Sequence, residues 1–295
     1  DGLVTSLLAN SIWLQDGYEY SEDTLKKLGD EFFASAFSGE MGSEDYNKQL
    51  QSWLNDNTGG LLTEQAGSVQ LRPETVLALV STIYYSAQWA DQFYEGANTQ
   101  ETFHAPTGDE TATFLHSSRS GTVYYGDGFM ATELPLRSSG SMWLLKPDAG
   151  VTPEDLLQNE DAVGFLLANG SWSQTQQAEV DLSLPKFDVS SDLDLLDALA
   201  QLGMTDVQTP GAADFTPLTT ANQLPLALTE AKHAARVKID EDGCEAAAYT
   251  ILMAPESAAM PPEEVVEFKL DEPFLFAIIG ADGLPLFVGI VNQVG

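Results

Sequence analysis

Hydrophobic residues recur along the chain at two spacings, and the spacing predicts the elements. Leu7 to Gln15 (LLANSIWLQ) is an apolar run closed by Asp16-Gly17, which predicts a mostly buried strand. Glu22 to Phe33 has a helical period. Ser43 to Asn55 places Tyr46, Leu50, Trp53 and Leu54 at i, i+4, i+7 and i+8, one apolar face of a helix that Asn57-Thr58-Gly59-Gly60 ends. Val76 to Trp89 is too β-branched and aromatic for a helix and predicts a central strand. From Phe103 to Leu145, short alternating runs separated by glycines predict antiparallel sheet.

Pro153 to Leu167 is predicted helical, and Val180 to Val189 alternates like a strand that includes an edge. Ser191 can cap a helix from Asp192 to Leu202, with Leu195, Leu196, Leu199 and Leu202 as its stripe and Gly203 as its left-handed stop. Leu226 to Ile239 is ambiguous, because Ala, Glu and Lys favour helix. Pro273 to Ile279, a turn at Asp282-Gly283, and Leu286 to Val291 predict a buried hairpin. No repeat or linker interrupts the chain, so the expectation is one α+β domain over residues 1–295.

Composition narrows the partners. Forty-five acidic residues against 12 basic ones give a formal charge of −33, which repels phosphate backbones, heparin-like polyanions and anionic membranes. No nucleic acid, heparin or membrane partner is therefore expected. No apolar run reaches the roughly 18 residues that span a bilayer, and the start lacks a signal-peptide pattern. Asn169-Gly170-Ser171 is a glycosylation-type sequon of the kind that chance supplies at this length. His104, His116 and His233 show no metal-ligand spacing, and no Gly-x-Ser-x-Gly elbow occurs. Neither a metal, a cofactor nor a catalytic residue is expected.

The most unusual stretch is Glu241-Asp242-Gly243-Cys244-Glu245-Ala246-Ala247-Ala248-Tyr249-Thr250. On strand alternation Cys244, Ala246, Ala248 and Thr250 share one face and are all small, while the other face tolerates bulk. The run then enters a segment with Pro255, Pro261 and Pro262, which cannot donate to a ladder and reads as exposed loop. Cys244, the only thiol, has Glu241, Asp242 and Glu245 nearby, and their charge should raise its pKa. A small-residue role therefore suits it better than a nucleophilic one.

Glu241 to Ala248 resembles the hinge of the serpin reactive loop. Further segments resemble that family in its order: SIWLQ, the Ser43–Asn55 helix with Asn-Thr-Gly, the 76–89 strand, Leu-Pro-Lys-Phe, Gly203 to Asp206, Ala213-Asp214-Phe215, Glu230 to Ala235, Pro-Phe-Leu-Phe and Leu-Phe-Val-Gly-Ile-Val. The family usually has further helices before the first of these, so the resemblance implies that about a quarter of the fold is missing from this chain.

The resemblance also implies a large mixed sheet A, further antiparallel sheets, surrounding helices and an exposed reactive loop at about 241–266. It decides for strand over Leu226 to Ile239. It makes Glu241, Gly243, Cys244, Glu245, Ala246, Ala247 and Ala248 the hinge, Ser81 and His233 the gate, and Trp89 the cap at the top of the sheet. Family spacing puts the reactive bond at Ser257-Ala258, or at Ala258-Ala259 after a slip of one residue. The resemblance implies a suicide substrate whose cleaved loop inserts into the sheet, as is established for the family. The expected partner is a serine protease that accepts small residues, elastase-like or subtilisin-like, since no Lys or Arg lies between Cys244 and Glu267. A secreted or cell-surface monomer is expected. The alternatives are a non-inhibitory serpin with a binding or structural role, or an inactive fragment.

Overall fold

A computed structural model describes residues 4–58, 69–137, 140–168, 170–219, 226–229, 231–244 and 264–294. The chain forms two compact units. One comprises 6–84 and 190–236, the other the first five residues, 85–189 and 237–295.

In the unit of 6–84 and 190–236, strand β1 (Val4–Gln15) is followed by helix α1 (Glu22–Phe32) and strand β2 (Ala34–Gly39). The Ser21 hydroxyl accepts from the Thr24 amide, and Glu22 and Asp23 lie in the first turn, where the helix dipole favours acid. Strand β2 runs parallel to β1 from Asn10 onward. The start of β1 departs from the expected buried strand, since Leu8 is 67% exposed while Ile12, Trp13 and Leu14 are buried. Helix α2 (Glu44–Asp56) is capped by Ser43 and buries Tyr46, Leu50, Trp53 and Leu54, the face read from spacing. These side chains pack with Trp13, Ala78 and Val80 on one side of the sheet. Strand β3 (Leu77–Gln88) supplies the last two, so an i/i+2 period meets an i/i+4/i+7 one.

In the other unit, β4 (Thr99–Ala105), β5 (Gly108–Gly126), β6 (Phe129–Pro135) and β7 (Ser141–Pro147) form the expected antiparallel succession. The helical run at 153–167 is two helices, α3 (Pro153–Gln158) and α4 (Glu160–Ala168), broken at Asn159. Phe165 of α4 meets Tyr124, Trp143 and Trp172 edge-on at 5.1–5.6 Å and centres that core.

Strand β8 (Thr175–Pro185) differs from the expectation of an edge. It lies between β5 and β12 (Val265–Lys269), which pairs with it in parallel as the outer strand. The alternation that suggested an edge arises because one face of β8 is buried and the other wet. Strand β13 (Phe274–Ile279), buried throughout, and β14 (Pro285–Val291) form the predicted hairpin.

The second departure follows β8. Strand β9 (Phe187–Asp194) takes the residues expected to start a helix, and helix α5 spans only Leu196–Gln201. Leu195 stands at its N-cap without a side-chain hydrogen bond, so Ser191 caps nothing. A polar alternating run, Ser-Ser-Asp-Leu-Asp, is as compatible with an exposed strand as with a helix start. Gly203 does stop the helix, at φ +92°. Strand β10 (Ala231–Ile239) settles the ambiguous segment as sheet.

Candidate functional site: gate and hinge

In the unit of 6–84 and 190–236 the sheet order is β2-β1-β3-β10-β9, with β3 and β10 paired directly and in parallel. The register sets Leu79 opposite Ala231, Val80 opposite Lys232, Ser81 opposite His233 and Thr82 opposite Ala234. The two expected gate residues are thus direct cross-strand partners, both half-buried. No hydrogen bond joins their side chains among the described residues. Burial lowers the His233 pKa, which keeps the ring neutral near neutral pH. The neighbouring Thr82 hydroxyl is buried without a partner.

In the other unit a two-residue strand, β11 (Gly243–Cys244), stands between the ends of the same two strands. Cys244 pairs antiparallel with Ile239 of β10 and with Ala87 of β3, and Gly243 pairs with Gln88. The turn Asp240–Gly243 that delivers it is held locally. Asp240 Oδ1 accepts from the Asp242 and Gly243 amides, and the Asp240 amide donates to the Gly243 carbonyl. A glycine is required at 243 by close approach, since a Cβ there would collide with the Ala87 carbonyl oxygen and lie 2.7 Å from Gln88 Cα.

Around this turn lies a polar clamp. Trp89, fully buried, donates its Nε1–H to the Asp240 carbonyl at 2.9 Å, and its amide donates to the Asp242 carbonyl at 2.9 Å. The Phe93 amide donates to the Glu241 carbonyl, and Gln92 Nε2 to Asp242 Oδ1 at 2.8 Å. Glu241 pairs with Lys186 Nζ and accepts from Asn98 Nδ2. Burial alone would raise the Glu241 pKa, but the hydrogen bonds from Lys186 and Asn98 outweigh it and leave the carboxyl below its ordinary value. Asp242 goes the other way. Burial, then repulsion from Asp240, Glu241 and Glu95, raises it.

Cys244 is 2% exposed and free. Its pKa is strongly raised, first by burial and then by Asp240. Among the described residues the charge that acts on it is Asp240, where Glu241 and Asp242 were expected; Glu245 lies outside the described residues. Strand β12 is braced at its far end, where Lys269 Nζ meets Glu101 at 2.9 Å and Asp271 at 3.3 Å. Ser183, His116 and Glu101 touch in series at 3.1 and 3.2 Å. Ser183 lies within β8 between β5 and β12, not on the strand-to-helix turn that exposes a nucleophile, so the series ties the three strands β8, β5 and β4 together.

A family model described as "Serpin (serine protease inhibitor)" matches residues 4–294. The chain belongs to the serpin family. Among curated serpins, it is 26% identical over 287 residues to an uncharacterized serpin-like protein of Thermococcus kodakarensis, covering 95% of this chain and 64% of that protein. It is 28% identical over 294 residues to the leukocyte elastase inhibitor of Homo sapiens, covering 96% and 76%. The chain spans about two thirds to three quarters of the length of these relatives. Among solved serpins, the thermophilic tengpin in its native state superposes with a TM-score of 0.85 at 24% identity, covering all of this chain and 75% of that one. An Arabidopsis serpin in its native stressed conformation superposes with a TM-score of 0.81 at 25% identity, covering 99% and 76%. The α+β fold with its mixed sheet is the serpin fold.

Of the expected site residues, Glu241, Gly243 and Cys244 stand together beside Trp89, and Ser81 stands against His233. Glu245, Ala246, Ala247, Ala248, Ser257, Ala258 and Ala259 lie outside the described residues. Sequence reasoning missed Lys186, Asn98 and Gln92. Lys186 carried a faint signal, a lone cation flanked by the apolar Leu184, Pro185 and Phe187. Asn98 and Gln92, over 140 positions from their partners, carried none.

Proposed function

We propose that the protein is a suicide-substrate inhibitor of serine proteases that accept small residues. The observation that supports this reading most is the two-sided pairing of Gly243–Cys244 between β3 and β10. A strand that begins there and continues toward the gate would separate β3 from β10 residue by residue, and Cys244, Ala246, Ala248 and Thr250 would be its small inward side. About a dozen added residues bring on the order of a dozen ladder bonds, each roughly 0.5–1.5 kcal/mol net, large beside the about 5–15 kcal/mol stability of an ordinary domain.

The protease serine attacks the carbonyl of Ser257, the Ser257–Ala258 peptide bond breaks, and the amine of Ala258 leaves. Insertion then competes with hydrolysis of the acyl ester. Elastase-like and subtilisin-like enzymes lose little by accepting Ser or Ala, whereas a trypsin-like pocket lacks its cation and meets Glu256. The target protease is the partner, and a secreted or cell-surface monomer is the form in which such an inhibitor acts.

Incubation with pancreatic elastase tests this. The expected result is an SDS-stable complex and a released peptide beginning at Ala258, or at Ala259 for the alternative bond. Complete cleavage without complex would make the protein a substrate, and a cut before Pro255 or after Met260 would overturn the loop register.

A further inference from the structure

In the unit that contains 85–189 and 237–295, a cavity of about 140 Å³ is walled by the end of β7, the turn into α3 and the connection from β12 to β13. Its apolar wall is Val151, Leu270 and three prolines, whose rings are rigid and bring no N–H. The polar groups of the lining divide into spent and unspent. Lys269 is held by Glu101 at 2.9 Å and Asp271 at 3.3 Å. The Thr152 hydroxyl donates to the Asp155 carboxylate and accepts from the Asp155 amide.

Lys146, half-buried, and Glu272, exposed at the rim, line the same cavity without pairing. Neither forms an ion pair with any other side chain among the described residues. His104, the ring that the charge of Glu272 reaches, is already held by Asp109 at 2.8 Å. A partly buried cation without a partner is costly, and here it stands bare in a chain of 45 acidic residues against 12 basic ones.

We propose that this cavity binds a free α-amino acid of the size of alanine, with its carboxylate on Lys146, its ammonium on Glu272 and its side chain against Val151 and Leu270. One unspent cation and one unspent anion in a single lining match a zwitterion. A bare anion meets Glu272 and the field of a chain at −33, and a bare cation meets Lys146; a zwitterion carries no net charge for either to repel. Size sets the rest. An apolar cavity of about 150 Å³ holds benzene, about six heavy atoms, and alanine has about the same number. A dipeptide is roughly twice as large and does not fit, which excludes the end of a peptide chain as the source. The binding rests on these residues and not on the inhibitory reading.

Titration of the 295-residue protein with L-alanine, followed by saturation-transfer NMR, reads the site directly. The expected Kd is about 0.1–1 mM, within reach of so small a ligand. Propionate lacks the ammonium and ethylamine lacks the carboxylate, so each should bind at least about tenfold more weakly. Lys146→Met and Glu272→Gln should each weaken alanine by at least about tenfold, and Lys146→Arg, which keeps a cationic donor, should hold it within about threefold of wild type. Absence of binding at about 20 mM alanine overturns the site, and so does binding that neither Lys146→Met nor Glu272→Gln changes. Either analogue binding as tightly as alanine makes the cavity a site for a single charge and overturns the zwitterion. The analogues are read on the wild-type protein, so the result stands even where a substituted chain fails to fold.

Discussion

Lys186→Met keeps the aliphatic stem of the side chain and deletes its charge, leaving Glu241 with Asn98 as its side-chain partner. Exposed ion pairs contribute about 0–1 kcal/mol, and breaking a fully buried pair costs about 3–5 kcal/mol. With Glu241 17% and Lys186 35% exposed, and so partly screened by water, the loss should be about 2 kcal/mol. For a chain of this size that lowers Tm by about 4 °C.

The effect has a pH signature. The folded-state pKa of Glu241 lies below its ordinary value, so the pair contributes in full above about pH 4.5 and fades as pH falls through the folded value. The gap between wild-type and variant melting curves should therefore close in acid. Lys186 also lowers the Asp242 pKa, so its loss deepens the repulsion there, and acid, which neutralises Asp242, removes that part of the gap as well.

A second readout is local. Cys244 is sealed while β11 is seated, so its reaction with an aromatic disulfide measures unseating. A 2 kcal/mol loss carried by the hinge speeds that reaction about 30-fold. A Tm gap that persists unchanged in acid, or an unaltered thiol rate, would refute the assignment of Lys186 to the hinge.

Gly243→Ala should unseat β11 outright, because the new Cβ meets backbone that cannot yield; the thiol should react as fast as in unfolded protein while the melt of the rest is retained. Trp89→Phe strands the Asp240 carbonyl and should cost about 1–3 kcal/mol, seen as a Tm loss together with a faster Cys244 reaction. Ser81→Asn lengthens the side chain opposite His233 and should add a hydrogen bond of about 0.5–1.5 kcal/mol, raising Tm and slowing the annealing of a synthetic peptide of residues 244–257; an unchanged midpoint and rate would mean the pair is not coupled.

The parts legible in the sequence share one physical property, a period imposed by burial. The α2 face follows from one-sided burial and the β13 run from burial on both faces, and each leaves a pattern whatever the partner. The misread parts lack that constraint. Ser190, Ser191, Leu193 and Asp194 are exposed, so alternation and capping chemistry compete on equal terms, and the strand wins through pairing with β10, which a local reading cannot see. The wet face of β8 was taken for an edge for the same reason. Lys186, Asn98 and Gln92 become functional only through chain crossings more than fifty residues long, and polar contacts at that range leave no period.

The clamp itself is unevenly balanced, and the imbalance says what holds the turn. Asp240, Glu241 and Asp242 are consecutive carboxylates; Lys186 touches Glu241 and acts on Asp242 more weakly. Burial and repulsion prevail at Asp242, yet the turn keeps its shape because Asp240 Oδ1 takes two backbone amides and Trp89, Phe93 and Gln92 donate to the rest. Hydrogen bonds therefore fix the geometry, and charge sets how tightly it is held. Salt screens the repulsion among partly exposed carboxylates at longer range more than the direct Lys186–Glu241 contact. The net effect of ions on this acidic hinge is then to tighten it, the reverse of what a hinge held by its ion pair alone would show.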